Sequence, residues 1–265
     1  MSGLRVARQG AARLALIAVV VATLGAALTI ILVAVRGPVT DVPVQDLSAV
    51  GDPFEVGPPP GRHGLSDDLV ARLSGSTVGI RGLDCGRAQI GSGFVVAGGL
   101  VATSAHVVAG ISAPVVTVDG DEVVTRVVGF DPVADLAVLA PAQHRKMPLP
   151  LAMGEAVAGT VGAILVYEAT GPRLVPAGIA QRIRATGTDV YGREADGRDA
   201  LILAAAVVGG HSGAAVVDGA GRVVGITFSR TRGGSPVAYA VQSNALQSLL
   251  ERVRLSPEQA GPCVK

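Results

Sequence analysis

The sequence predicts an all-β domain that follows one transmembrane helix and closes with a short C-terminal helix. Three observations carry this expectation: a charge-free apolar run near the N-terminus, a long stretch of short valine- and isoleucine-rich segments parted by turn residues, and a final segment with leucines at helical spacing.

The apolar run comes first. From Leu14 to Val35 no residue is charged, and at about 1.5 Å per residue it is long enough to cross a hydrocarbon core of about 30 Å. Arg5, Arg8 and Arg13 precede it, whereas past Arg36 the next ionisable groups are Asp41, Asp46, Asp52 and Glu55. The excess of arginine before the span places residues 1–13 in the cytoplasm and the rest of the chain outside the cell membrane. A cleaved signal peptide has an apolar core of about 7–15 residues, shorter than this one, so 14–35 reads as an uncleaved, single-pass signal anchor. Residues 36–64, with Pro38, Pro43, Pro53 and the run Pro58 to Pro60, read as a linker that is extended where proline is dense. A folded domain is expected over 65–265. Ser66, Asp67 and Asp68 supply an N-cap and an acidic first turn for a short opening helix.

Within that domain the clearest strands are Val78 to Arg81, Ile90 to Ala97, Val115 to Val118, Val123 to Gly129, Leu136 to Leu139, Ile164 to Tyr167, Leu201 to Ala205, Ala214 to Val217 and Val223 to Phe228. Many short strands between glycine, proline and aspartate turns predict a sandwich or a barrel. Leu246, Leu249, Leu250 and Val253 share one helical face and give the terminal helix, 242–253. A formal net charge of +1, 3% aromatic residues and no tryptophan leave neither the field nor the stacking surfaces of a nucleic-acid binder.

Chemistry concentrates at three places. His106 follows an apolar strand end and enters a turn of small residues. Asp135 heads a strand that reads as buried, where a carboxylate needs a partner. Ser212 stands between glycines in Gly209-Gly210-His211-Ser212-Gly213, a turn in which backbone N–H groups can converge beside the hydroxyl. Together they supply a nucleophile, a base and a carboxylate that holds the base, the three roles of acyl transfer. His63, His106, His144 and His211 lack the close pair spacings of a zinc site, and no metal or cofactor is expected. Asp131, followed by proline, reads as a turn residue. Arg193, Glu194, Asp196 and Arg198 read as a solvated hairpin, and Gly91-Ser92-Gly93 as a bulged strand.

These residues carry a resemblance. In the order His, Asp, Ser, and in Thr103-Ser104-Ala105-His106, Asp135-Leu136-Ala137 and Gly210-His211-Ser212-Gly213, the chain resembles the trypsin-like, chymotrypsin-fold serine proteases over roughly 76–248. Separations of 29 and 77 residues between the three look like the compact bacterial members. Cys85, before the Gly91-Ser92-Gly93 strand, and Cys263, near the C-terminus, bring the resemblance closest to the actinobacterial membrane-anchored periplasmic proteases of the MarP (acid-resistance) type.

The resemblance implies a double six-stranded antiparallel β-barrel, with the first barrel over about 76–145, the second over about 150–241 and the C-terminal helix behind them. It implies a membrane-tethered extracytoplasmic serine endopeptidase with the triad His106, Asp135 and Ser212, an oxyanion hole formed by the N–H groups of Gly210 and Ser212, and a peptide or protein substrate. Ala206, Phe228, Ser229 and Ala238 fall at the positions of the primary substrate pocket, and the absence of an acid there implies a small or apolar residue before the scissile bond. Two cysteines in an exported domain imply one disulfide, Cys85–Cys263, worth about 4–5 kcal/mol in the chain-entropy picture. The sequence departs from the family at His211, where Asp or Asn is usual, and at Ala214 and Ala215, where Gly-Pro is usual. These departures leave a second reading, a catalytically silent barrel that binds exported peptides.

Overall fold

The computed structural model describes residues 56–84, 86–142, 152–230, 236–253 and 260–264, all within one compact unit, Gln45–Lys265. The predicted anchor 14–35 lies outside the described residues, as do Cys85 and His144. Among the described residues no helix is long and apolar enough to cross a membrane.

Helix α1 (Asp67–Gly75) opens the described domain, with the Leu69 N–H donating to the Ser66 hydroxyl and Asp67 and Asp68 in its first turn. Six strands follow: β1 (Thr77–Asp84), β2 (Arg87–Val96), β3 (Leu100–Thr103), β4 (Val115–Val118), β5 (Asp121–Asp131) and β6 (Leu136–Pro141), with the one-turn helix α2 (Ala105–Val108) between β3 and β4. They pair antiparallel in the order β1-β2-β3-β6-β5-β4 and close where β4 meets β1. The second set is β7 (Val161–Glu168), β8 (Gly171–Thr188), β9 (Glu194–Ala204), β10 (Ala215–Val217), β11 (Val223–Arg230) and β12 (Val237–Gln242), ordered β10-β11-β12-β9-β8-β7 and closed by β7 against β10. Helix α3 (Ser243–Arg252) follows. The expected all-β architecture is therefore present as two closed six-stranded barrels.

Three apolar layers result. One fills the first barrel with Val78, Ile80, Val95, Val101, Ala137 and Leu139. Another fills the second with Ile164, Val166, Leu201, Leu203, Val216 and Val224. The third lies between the barrels and under α3, and holds Phe94, Leu136, Val138, Ala163, Leu165, Ile226 and Leu246. Alternate residues of a strand face opposite ways, so β6 gives Ala137 and Leu139 to its barrel and Leu136 and Val138 to the layer between. Strand β7 divides in the same way. A strand buried on both faces must be apolar throughout, and this is why β6 and β7 read as unbroken apolar runs rather than as alternation.

The longest strand, β8 with 18 residues, has no counterpart among the strands read from the sequence. Pro172 and Pro176, which argue against a strand, pair with β7 at Tyr167 and Ala163, and β9 joins the other side of β8 only from Gly178 onward. Both prolines thus sit where one side of β8 has no strand neighbour, which is where a strand tolerates a missing N–H.

Candidate active site

The first barrel supplies an imidazole and a carboxylate. His106 lies in α2, directly after β3, and Asp135 lies just ahead of β6 in the left-handed backbone region, φ 57°, which aspartate enters more easily than most residues. The His106 backbone N–H donates to Asp135 Oδ1 at 2.9 Å, and ring Nδ1 lies 2.7 Å from Asp135 Oδ2. With Asp135 only 4% exposed, its carboxylate is spent on this one partner. A carboxylate at Nδ1 keeps the proton there and leaves the Nε2 lone pair facing outward. Burial pulls the His106 pKa down, but the charge of Asp135 and its hydrogen bond prevail, and the net direction is upward; the positive charge of Arg198 opposes it. The ring keeps 31% of its side-chain surface, so desolvation is incomplete and the carboxylate decides. Asp131 is occupied elsewhere: its Oδ1 accepts the N–H groups of Val133 and Ala134, and its Oδ2 pairs with Arg252.

The second barrel supplies the serine. Residues Val208 to His211 form a tight turn in which the His211 N–H donates to the Val208 carbonyl at 3.2 Å and Gly210, in third position, has φ 88°. That combination belongs to a type II turn, whose third residue must have positive φ. Past it, the N–H groups of His211, Gly213 and Ala214 are taken, by Val208, Thr227 and His211 carbonyls respectively. Those of Gly210 and Ser212 donate to no acceptor among the described residues. Two backbone donors without an acceptor among the described residues therefore flank the Ser212 hydroxyl, and they are the ones that the family resemblance implies for an oxyanion hole. Ser212 itself is half-buried, and its Oγ makes no hydrogen bond to His106 among the described residues. Such contacts are often loose until a substrate is present.

The turn is clamped from the other barrel. The Ser92 N–H donates to the Ser212 carbonyl at 2.8 Å, the Ser92 hydroxyl donates to the Gly210 carbonyl at 2.8 Å, and the same hydroxyl accepts the Tyr167 N–H at 3.0 Å. The Ser104 hydroxyl reaches the Thr227 carbonyl at 3.0 Å, and the Thr227 hydroxyl reaches the His211 carbonyl at 2.6 Å. At Gly213, φ 82°, a Cβ would strike Thr103 Oγ1, the Ser92 carbonyl and the Ser104 nitrogen, so only glycine fits. Gly91 is similarly required, because a Cβ there would press on Val107 and the Ser212 carbonyl.

Gly91-Ser92-Gly93, read from the sequence as a bulged strand, instead pairs with β1 in unbroken register, and Ser92 is a residue of the candidate site. The signal was present: two glycines flanking a small polar residue mark a strand that another backbone approaches closely.

Arg198 corrects another expectation. Its neighbours Glu194 and Asp196 are exposed, but Arg198 is not part of a solvated hairpin. Its guanidinium lies 4.8 Å from the centre of the Phe228 ring and donates to the Thr188 carbonyl at 3.0 Å, and burial lowers its pKa against the charges of Asp135, Asp131 and Asp189. Of the positions named for the substrate pocket, Ala206 is exposed, Phe228 and Ser229 are half-buried, and Ala238 is enclosed in the second barrel with no exposed surface.

Two barrels, with a histidine and an aspartate on one and a serine turn on the other, define a class, and comparison of the sequence gives the same one. Residues 91–226 match the family of the trypsin-like peptidase domain, and the chain belongs to that family. Among particular relatives, serine protease Rv3671c of Mycobacterium tuberculosis is 31% identical over 205 residues, 76% of this chain and 52% of that protein. A probable periplasmic serine endoprotease, DegP-like, of Brucella suis is 32% identical over 168 residues, 62% of this chain and 32% of that protein. The chain spans about half the length or less of these curated relatives. The crystal structure of the Rv3671c protease from M. tuberculosis in its active form matches with a TM-score of 0.72 at 30% identity, covering 81% of this chain and 99% of that one. The inactive form of the same protease matches with a TM-score of 0.63 over 75% of this chain.

Proposed function

We propose that this chain is a membrane-tethered, extracytoplasmic serine endopeptidase that hydrolyses peptide bonds through an acyl-enzyme. The observation that carries the reading is the pairing of a carboxylate-held imidazole on one barrel with a serine turn on the other whose Gly210 and Ser212 N–H groups are unspent. Ser212 Oγ attacks the substrate carbonyl while His106 Nε2 accepts its proton and later returns it to the leaving amine. Asp135 holds the ring and stabilises its charged form. The developing oxyanion takes the N–H groups of Gly210 and Ser212, each donor being worth about 3–4 kcal/mol in the transition state.

Further parts of this reading rest on the sequence. Residues 14–35 are the single-pass anchor, with 1–13 in the cytoplasm and the domain from residue 65 outside. The family relation to proteases named as periplasmic supports this placement. Cys85 pairs with Cys263; the described half of this pair, Cys263, is not a free thiol. A pocket near Ala206, Phe228 and Ser229, without an acid, takes small or apolar side chains.

The test is labelling of the full chain in detergent micelles with a fluorophosphonate, beside a Ser212→Ala control, over a pH series. Labelling absent from the control and rising with pH through an elevated histidine midpoint is the expected result. A folded wild-type chain that stays unlabelled at every pH points instead to a silent, peptide-binding barrel.

A further inference from the structure

His211, directly before the nucleophile, is 3% exposed and held on both ring nitrogens. Nδ1 lies 3.3 Å from the Val208 backbone N–H, and Nε2 lies 3.3 Å from Glu168 Oε1. The Val208 amide can only donate, so Nδ1 must be an unprotonated acceptor, and the ring proton sits on Nε2 against the carboxylate. Val208 and His211 are also the two ends of the type II turn, joined a second time by the His211 N–H and the Val208 carbonyl. The turn that frees the Gly210 N–H is therefore closed by two bonds, one of which exists only while the imidazole is neutral.

We propose that His211 is a positioning residue for the oxyanion turn: its neutral Nδ1 holds Val208, and protonation there breaks the bond and releases the turn. This deepens the reading of the site as an acyl-transfer centre and rests on it. The family's usual Asp or Asn at this position carries an oxygen as many bonds from Cα as Nδ1 is, and accepts a hydrogen bond over a wide pH range. Histidine replaces that acceptor with one that acid removes.

The charges around the ring favour two positions. Glu168, on β7, is paired with Arg173 on β8 at 2.6 Å; these are the ionisable groups whose charges act on His211. Burial is the largest influence and lowers the His211 pKa, the Glu168 bond and charge raise it, Arg173 lowers it, and the net direction is downward. Near neutral pH the ring is thus the neutral acceptor. When it takes a second proton, both nitrogens are donors, Nδ1–H opposes the Val208 N–H, and the imidazolium is drawn toward the Glu168 carboxylate.

His106 titrates above the ordinary histidine value and His211 below it, so acid removes the base first and the turn second. The logarithm of the fluorophosphonate reaction rate should fall with slope one below the His106 midpoint and more steeply than slope one through that of His211, where loss of the acceptor adds its own drop. His211→Phe, which offers no acceptor, should react about threefold to tenfold more slowly at pH 8 and keep slope one throughout. His211→Asn, which restores the acceptor without the titration, should recover most of the rate and also keep slope one. A wild-type slope of one across the whole acid range, or His211→Phe reacting as fast as wild type, overturns the proposal. Titration of the Val208 amide resonance in the 15N-labelled Ser212→Ala full chain gives a second measurement that needs no activity. Movement of that resonance with the His211 ring supports the switch, and a static resonance refutes it. A wild-type chain that never reacts with the probe removes the catalytic reading, and the amide titration then decides the turn by itself.

Discussion

The two halves of the site are built to different standards of rigidity. His106 and Asp135 lie in one barrel and are joined by two bonds of 2.7 and 2.9 Å to a buried carboxylate, short enough to be charge-assisted. The Val208 to Gly213 turn makes only neutral contacts within itself, two of them at 3.2 and 3.3 Å, and is held from outside by Ser92 of the other barrel at 2.8 Å and by Thr227 of its own barrel at 2.6 and 2.8 Å. The His106 imidazole is thus fixed by its own barrel, whereas the Ser212 turn is held from both barrels, through Ser92 and Thr227, and by the His211 ring.

The largest break in that contrast is Asp135→Asn. The amide keeps the volume but favours the wrong imidazole tautomer, so fluorophosphonate reactivity and peptide turnover should fall by about 10⁴-fold with the fold retained by circular dichroism. Gly213→Ala attacks the other half. The new Cβ meets three polar atoms of the first barrel at a backbone angle that alanine disfavours, and strain plus overpacking should cost about 2–5 kcal/mol. A melting temperature lowered by at least about 5 °C is expected, and an unchanged one would mean that the barrels are not pressed together at this turn.

Ser92→Ala is milder and more specific. It leaves the Ser92 N–H on the Ser212 carbonyl but strips the Gly210 carbonyl of its donor and the Tyr167 N–H of its acceptor. A loss of about 1–3 kcal/mol for groups left unsatisfied is expected. If the hydroxyl orients the oxyanion turn, the reaction rate with the probe should drop about tenfold or more. Equal rates for the two proteins would show that the turn stands without its cross-barrel clamp.

How much of this could be read from the sequence follows from burial. Strands β6 and β7 are apolar on both faces because each divides its side chains between two layers, and they were legible. Strand β8 was not, because only part of it has neighbours on both sides and its prolines are tolerated where one side is free. His106, Asp135 and Ser212 could be named as candidates because side-chain chemistry restricts which residue types can do such work, and the structure pairs the first two. Ser92 escaped because half of its contribution is a backbone N–H, which any residue but proline possesses. Arg198 escaped because a charge between other charges reads as solvated. Only the folded chain places it over Phe228, with its charge acting on Asp135 and His106.

The smallest expected effect separates the two histidines by stability alone. The folded pKa of His106 is raised, so its contribution is fully present below the unfolded value near 6.5 and is lost as pH rises through the folded one. For His211 the folded pKa is lowered, so its contribution is present above the unfolded value and is lost as pH falls through the folded one. Urea midpoints of the Ser212→Ala chain followed on both sides of pH 6.5 should therefore carry two opposed slopes. Adding His106→Asn should flatten the loss on the alkaline side, and adding His211→Asn should flatten the loss on the acid side. If His211→Asn leaves the acid slope as steep as before, the buried imidazole is not being forced to take a proton there, and the acid sensitivity of the turn must have another source, such as Glu168 giving up its charge and its bond to the ring.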